Sequence, residues 1–323
     1  MGDKRELLAI GGMTPRMMEA FARNFVVYEM AAIGDPESFL REKGEGIEAI
    51  ATYGAEKVPA SFIDALPNLK MISCYGVGYD GIDTAKAVER GVVVTHTPNV
   101  LNDDVANTAI LLMLAVSRQL VRDDRWVRSG NWKAKGAAPL TRSIEGKPVG
   151  IVGLGRIGET IAEKLQAFSC KVSYHSRNRR DVPYAYYSDL RQMAEEVDYL
   201  VVITPGGAAT RHLVNREVMD ALGPEGTLIN VARGTVVDEA EMVAALREGR
   251  LGYAGLDVFE AEPHVPEELF TMDNVVLLPH VGSATAETRQ AMGDLTVENI
   301  ERFFSEGTVT TPVPEAAHLV KKG

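Results

Sequence analysis

The sequence predicts an α/β protein with two doubly wound parallel sheets, one domain inserted into the other. Three observations carry this expectation. Short apolar runs alternate with helical patterns through the first hundred residues. A second alternating series starts at Pro148, and a glycine-rich turn joins strand to helix at its head. Apolar runs separated by helices indicate parallel strands covered on both faces. With 323 residues, 46% hydrophobic and 24% charged, the chain has material for two cores.

In the first series the strands are expected at Leu7–Ile10, Val26–Tyr28, Ala49–Thr52, Met71–Cys74 and Val92–Thr95. Arg16–Asn24 and Asp83–Arg90 read as helices between them. "HTPN", His96 to Asn99, interrupts the pattern. "DDVANTAILLMLAVSRQLVRDDRWVRSG" then reads as one long helix, capped by Asn102 or Asp103 and stopped by Gly130. Its first half is apolar nearly all round, so burial on several sides is expected, with a second subunit as one of them.

The second series places strands at Val149–Val152, Lys171–His175, Tyr199–Thr204, Thr227–Asn230, Gly255–Asp257 and Val275–Leu278. Helices are expected at Arg156–Phe168, Arg216–Leu222 and Glu239–Arg247. This is a six-strand doubly wound pattern. A final helix, about Glu287–Ser305, can return to the first domain. The expected division is therefore residues 1–99 with 286–323, and 100–285 between them.

The formal charge of −11 argues against nucleic acid as a partner, though it leaves room for a local basic pocket. The two cysteines, Cys74 and Cys170, have no metal spacing and read as small core residues, and no metal site is expected. "LLAIGG" is too short for a signal-peptide core and follows Asp3. Gly2 lacks the Ser or Thr at position 6 that myristoylation needs, and "VKKG" is no peroxisomal address. No stretch is long and apolar enough to span a membrane. A cytoplasmic protein is the expectation.

"VGIVGLGRIGETIAEKL" contains Gly153-Leu154-Gly155-Arg156-Ile157-Gly158. A GxGxxG pattern alone is weak; between an apolar strand and an amphipathic helix it points to a dinucleotide. Gly153 permits the tight turn, Gly155 the approach of a pyrophosphate, and Gly158 close packing of helix on strand. The helix start offers free N–H groups and a favourable dipole to phosphate. Ser176 lies 18 residues beyond Gly158 (158 to 176), near the ~20 at which an acid usually holds the adenine ribose of NAD. "YHSRNRR", Tyr174 to Arg180, has no acid there. A hydroxyl followed by Arg177 suits a 2′-phosphate instead, because a guanidinium makes charge-assisted, bidentate bonds to phosphate. NADPH is expected over NADH. A solvated loop is the plainer reading of Arg179 and Arg180.

Further motifs resemble a known family. "YGVGYDGID" (Tyr75–Asp83), "INVARGTVVDEAEMVAAL" (Ile229–Leu246), "GLDVFEAEP" (Gly255–Pro263) and "LLPHVGSATAETRQAM" (Leu277–Met292), with the glycine turn, are similar to the D-isomer-specific 2-hydroxyacid dehydrogenases. "RSGNW" and "YHSRN" are most similar to the NADPH-dependent glyoxylate/hydroxypyruvate reductase branch. The resemblance implies a Rossmann coenzyme domain inserted into a flavodoxin-like substrate domain. It implies reduction of small 2-oxoacids to D-2-hydroxyacids, and a homodimer.

The family's catalytic trio falls on Arg233, Glu262 and His280. The residue types suit the roles. The fork of Arg233 fits a carboxylate and can polarise a ketone oxygen. His280 is a fitting proton donor, and Glu262 can accept from its other ring nitrogen, orienting the ring and favouring imidazolium. The resemblance also places substrate at the backbone of Val77 and Gly78 and at Trp132, and the loop around Tyr53 is expected to help form the side-chain pocket. Trp132 either reaches a neighbouring subunit's site or packs inside its own. Asp257 is implied against the nicotinamide carboxamide. Thr108, Thr204, Pro205, Ala232 and Gly282 are implied on the cofactor side. Two alternatives stay open: a short NAD-type D-3-phosphoglycerate dehydrogenase, and a non-catalytic, dinucleotide-sensing binding protein. The first typically carries the ribose-binding acid that is missing here. The second would need partner-docking tails, and the termini are short.

Overall fold

A computed structural model describes residues 4–54 and 56–320. Gly2, Asp3 and the last three residues of "VKKG" lie outside them. The chain separates into two compact units, Met1–Leu101 with Thr285–Gly323, and Asn102–Ala284.

The first unit holds five parallel strands: β1 (Arg5–Ile10), β2 (Phe25–Glu29), β3 (Ile47–Tyr53), β4 (Met71–Tyr75) and β5 (Val93–Thr95), in the order β2-β1-β3-β4-β5. All five residues of β4 are buried, as a central parallel strand covered on both faces requires. Thr14 caps the helix Pro15–Asn24 by accepting from the Met17 N–H at 3.3 Å, and Asp83 does the same for Thr84–Glu89 at Lys86, 2.9 Å. The chain returns to this unit at the end. Helix Ala286–Glu306 lies on β4, where the Ser73 hydroxyl donates to the Thr296 carbonyl at 3.1 Å. β3 and β4 end in register, Tyr53 opposite Tyr75.

The second unit holds seven parallel strands: β6 (Pro148–Val152), β7 (Lys171–His175), β8 (Ala185–Tyr187), β9 (Tyr199–Val202), β10 (Thr227–Asn230), β11 (Tyr253–Leu256) and β12 (Val275–Leu277). Their order is β12-β11-β10-β9-β6-β7-β8. The chain winds outward from β6 in one direction, then restarts at β9 and winds in the other. The crevice between the ends of β6 and β9 is therefore a topological switch point, where open α/β sheets bind ligands. The registers align the strand ends. Val152 pairs with both Val202 and His175, and Asn230 with Leu256, which pairs with Leu277. One carboxyl edge thus carries Gly153, Ser176, Thr204, Arg233, Asp257 and His280.

Two sequence expectations need correction. The second sheet has a seventh strand, β8, too short at three residues to show as an apolar run. The long helix is two helices, Asn102–Ser117 and Leu120–Arg128, bent by 58°. Gln119 takes a left-handed conformation at φ 51°, and the Arg142 N–H takes up the Ser117 carbonyl at 3.0 Å. No Gly or Pro marks this break. The first helix also satisfies most of its apolar surface inside its own unit. Val105, Ala106, Ala109, Ile110, Leu112 and Met113 are buried, and the helix packs on Arg156–Gln166 and on β10, β11 and β12. Its apolarity therefore does not call for a second subunit. No single helix among the described residues is long and apolar enough to cross a membrane.

Candidate active site

The glycine turn has the sterics its spacing predicts. Gly153 sits at φ 101°, and a Cβ there would lie 2.8 Å from both Cα and N of Thr204. A Cβ at Gly158 would lie 2.3 Å from the Gly153 carbonyl oxygen. At Gly155 a Cβ would meet nothing within 4 Å, so the turn is open on that side. The Gly153 N–H is satisfied by the His175 carbonyl at 2.8 Å. Among the described residues no acceptor takes the N–H groups of Leu154, Gly155, Arg156 or Ile157. Four free donors at a helix start beside an open glycine fit a dinucleotide pyrophosphate.

The segment after β7 is clamped at its far end. The Tyr174 side chain, fully buried, accepts from the Arg180 N–H at 2.8 Å and donates to the Arg180 carbonyl at 3.2 Å. The Arg180 guanidinium donates to the Leu154 carbonyl and pairs with Glu159 at 2.9 Å. Arg180 is thus tied to the glycine turn rather than lying as a solvated loop residue. The Ser176 hydroxyl donates to the Asn178 carbonyl at 2.7 Å, which curls the loop. Arg177 is exposed and makes no hydrogen bond or ion pair among the described residues. Of the loop's arginines, Arg177 and Arg179 remain available to an anion.

At the ends of β10 to β12 the structure brings Arg233, Glu262 and His280 to one place. His280 Nδ1 lies 2.7 Å from Glu262 Oε2. Its Nε2 has no partner among the described residues, and its side chain is 31% exposed, enough to meet a ligand. Glu262 is held in turn, because its Oε1 accepts the Phe259 N–H at 3.0 Å. Burial alone would raise the Glu262 carboxyl. The hydrogen bond and charge of His280, the Phe259 N–H and the charge of Arg233 outweigh burial and hold it below the ordinary carboxylate value. Nearby, burial and the like charges of Glu260 and Glu262 push Glu239 up, although the Glu260 N–H donates to it.

Three further residues build this corner: Asn230 and Gly234, given no role in it from sequence, and Asp257, expected from sequence against the nicotinamide rather than under the histidine. Asn230, 1% exposed, shapes the turn that presents Arg233. Its Oδ1 accepts the Ala232 N–H at 3.1 Å, and its Nδ2 donates to the Arg233 carbonyl at 3.0 Å. Arg233 itself donates to the Ala232 carbonyl at 2.8 Å. Gly234 lets that turn close on the next loop, since a Cβ there would lie 1.9 Å from the Phe259 carbonyl carbon. Asp257 fastens the histidine. It is 2% exposed, its two oxygens accept the N–H groups of Val281 at 2.7 Å and Gly282 at 2.8 Å, and its carbonyl accepts the His280 N–H at 2.8 Å. Burial pushes the Asp257 carboxyl above its ordinary value against those donors and the charge of His280, with Glu262 adding to the rise. His280 is held at φ 54°, a left-handed conformation that a non-glycine residue adopts at a cost. The only sequence signal was a buried-type Asn and Asp at strand ends.

The remaining expected residues lie as follows. Thr108 donates to the Gly282 carbonyl at 3.3 Å, and the Pro205 carbonyl accepts from Thr210 at 2.7 Å. Ala232 is 5% exposed and Trp132 63% exposed, so Trp132 does not pack inside its own chain. In the first unit, the Val77 carbonyl faces His96 Nδ1 at 2.9 Å and the Gly78 carbonyl faces the Cys74 thiol at 3.4 Å. With these carbonyls turned inward, the N–H groups of Val77 and Gly78 have no acceptor among the described residues. That arrangement suits a carboxylate. No cluster of His, Cys, Asp and Glu among the described residues could hold a metal ion.

The chain is similar to known proteins over most of its length. The family model described as the NAD binding domain of the D-isomer specific 2-hydroxyacid dehydrogenases matches residues 110–282. The chain is 54% identical over 268 residues to glyoxylate/hydroxypyruvate reductase A of Arabidopsis thaliana, covering 83% of this chain and 85% of that one. It is 52% identical over 276 residues to hydroxyphenylpyruvate reductase of Plectranthus scutellarioides, covering 85% and 88%. A crystal structure of the NADPH-dependent glyoxylate/hydroxypyruvate reductase of Sinorhizobium meliloti, in complex with NADP and malonate, superimposes with a TM-score of 0.91 at 43% identity. That match covers 99% of this chain and 100% of that one.

The glycines give a test of the site's construction. Gly158→Ala and Gly234→Ala force a side chain into backbone and are expected to lower the thermal midpoint by roughly 5 °C or more, the scale of a steric clash in a domain this size. Gly155→Ala meets open space, and its midpoint is expected to stay within about 2 °C of the parent. Calorimetry of the three variants measures this. A large drop for Gly155→Ala, or none for the other two, contradicts the geometry.

Proposed function

Because the chain belongs to the D-isomer-specific 2-hydroxyacid dehydrogenase family, we propose that it reduces small 2-oxoacids with NADPH, glyoxylate to glycolate and hydroxypyruvate to D-glycerate foremost. The observation that carries this reading is the 2.7 Å contact of His280 with Glu262, beside Arg233 on the edge that also bears the open glycine turn. In relatives at 54% and 43% identity, glyoxylate and hydroxypyruvate are the named substrates.

When bound, the reduced nicotinamide would supply hydride to the carbonyl carbon of the 2-oxoacid. The chain's own residues do the rest. The free N–H groups of Leu154 to Ile157 hold the pyrophosphate. Arg177, with Ser176 beside it, receives the 2′-phosphate, for which no acid competes. Thr204 and Pro205, at the end of β9, and Thr108, Ala232 and Gly282 line the cofactor side. Asp257 acts mainly by fixing the loop that carries His280; a further bond from its oxygens to the carboxamide remains compatible with their second lone pairs. Val77 and Gly78 offer N–H groups to the substrate carboxylate. Arg233 binds carboxylate or polarises the ketone. His280 gives the proton from Nε2 to the carbonyl oxygen, while Glu262 on Nδ1 keeps the ring oriented. General acid catalysis of this kind contributes ~10²–10⁴-fold.

The short phosphoglycerate dehydrogenase reading is disfavoured by the missing ribose-binding acid, and the non-catalytic reading by the assembled Arg233, Glu262 and His280. We also propose a homodimer, now on different grounds. Leu120, Val121 and Val127 on one helix, Trp132 on the next and Leu140 after it are all exposed apolar residues within one stretch of the second unit. A partner covering this stretch is the natural place for Trp132 to meet a neighbouring subunit.

Two measurements test these proposals. NADPH oxidation is expected with glyoxylate and hydroxypyruvate, and more slowly with NADH. Arg177→Ala is expected to raise the Michaelis constant for NADPH about tenfold, roughly 1.4 kcal/mol, with NADH changed little. Equal losses with both cofactors would remove the 2′-phosphate role, and no turnover with any oxoacid would remove the function. In sedimentation at micromolar concentration the chain is expected to run as a dimer, and Val127→Glu to shift it toward monomer. A monomeric parent protein sinks the subunit proposal.

A further inference from the structure

The first unit carries a cation that the proposed chemistry leaves without a task. Arg289 lies in the first turn of helix Ala286–Glu306, where a positive charge opposes the helix dipole. Its guanidinium carbon stands 5.5 Å from the ring centre of Tyr53 and 5.8 Å from that of Tyr75. Its Nη1 donates to the Tyr53 hydroxyl at 3.2 Å, and the Tyr75 hydroxyl donates to the Arg289 carbonyl at 3.0 Å. The two rings are 5.9 Å apart and end β3 and β4 side by side. No carboxylate pairs with Arg289 among the described residues.

Its place in the unit suggests the task. Gly54 follows Tyr53, and a Cβ at Gly54 would lie 2.9 Å from the Gly78 carbonyl oxygen. A Cβ at Gly76 would lie 3.2 Å from the Gly54 Cα. In the loops after β3 and β4, Gly54 therefore meets the segment Gly76–Gly78 backbone to backbone. Arg289 is held at the root of both loops. Most of its N–H groups have no acceptor among the described residues, and two aromatic rings fix its plane, so little side-chain freedom is lost when it meets a ligand.

We propose that Arg289, positioned by Tyr53 and Tyr75, is a specificity-determining residue that binds an oxygen-bearing group on C3 of the 2-oxoacid. This rests on the reading that the Val77–Gly78 N–H groups hold the substrate carboxylate. The favoured substrate class is then 2-oxoacids with a hydroxyl or carboxylate on C3. Pyruvate, with a bare methyl, and glyoxylate, with no C3, gain nothing from it. Tyr53 takes part by holding the guanidinium rather than by touching the substrate alone.

The test is kinetics of the full-length protein with glyoxylate, pyruvate and hydroxypyruvate, for the parent, Arg289→Met, Arg289→Lys and Tyr53→Phe. Arg289→Met is expected to lower kcat/KM for hydroxypyruvate roughly tenfold more than for pyruvate or glyoxylate, mainly through KM, the order expected for one charge-assisted hydrogen bond. Arg289→Lys should restore part of this, and Tyr53→Phe should move selectivity in the same direction by less. Equal losses on all three oxoacids would overturn the proposal, because the residue would then serve the shared head group or the fold. Calorimetric titration with tartronate against acetate needs no turnover. Arg289→Met is expected to weaken tartronate at least fivefold more than acetate, a selective loss of that one bond. A parent protein that binds tartronate in this Arg289-dependent way but reduces no oxoacid would retain the anion site while removing the reductase reading. Tartronate binding unchanged by Arg289→Met would overturn the anion site itself.

Discussion

A buried aspartate side chain, Asp257, holds the reactive corner together. Asp257 ends β11 and accepts the N–H groups of Val281 and Gly282 through its two oxygens, while its carbonyl takes the N–H of His280. Three hydrogen bonds from one residue fix three successive residues of the next loop. They hold His280 at a positive φ that a histidine would otherwise avoid. Once the backbone is fixed, the ring has one place to go, and Glu262 is waiting at 2.7 Å. The rest of the site depends on this arrangement: the backbone bonds place the ring, and the ring places the proton.

The same logic of close backbone approach runs through the second unit. Gly234 brings the turn carrying Arg233 against the backbone of Phe259, whose N–H binds Glu262. Gly153 and Gly158 bring the dinucleotide turn against Thr204 and against itself. Glycines at these contacts are required by space, and the catalytic side chains are placed by what the glycines allow. Because all six strand ends concerned are in register, small shifts at one loop are resisted by its neighbours across the sheet.

Much of this was legible in the sequence, for reasons that can be named. The strands of both sheets appear as apolar runs because parallel strands are buried on both faces. The glycine turn is readable because its spacing encodes steric demands that few other structures share. Arg233, Glu262 and His280 were legible only through resemblance to a family, since each alone is an ordinary polar residue. What escaped depends on tertiary contact. The break at Gln119 has no Gly or Pro to announce it. β8 is too short to stand out, and the roles of Asn230, Gly234 and Asp257 exist only once Ala232, Phe259 and Val281 are beside them. Arg180 looked like one more solvated arginine until Leu154 and Glu159 were found to hold it.

The central claim is that Glu262 keeps a proton on the pair it forms with His280. The Glu262 carboxyl is held below its ordinary value, so its effect is complete above the ordinary carboxyl range and is lost as pH falls through the depressed value. At neutral and alkaline pH it stays ionised, and it opposes loss of the proton that reduction needs. The direct measurement is the pH profile of NADPH oxidation with glyoxylate for the parent and Glu262→Gln, which keeps the shape and removes the charge. The account predicts that the alkaline limb of the variant moves to lower pH, because the amide carries no charge to oppose loss of the proton. An alkaline limb that stays where it was in the parent would contradict it.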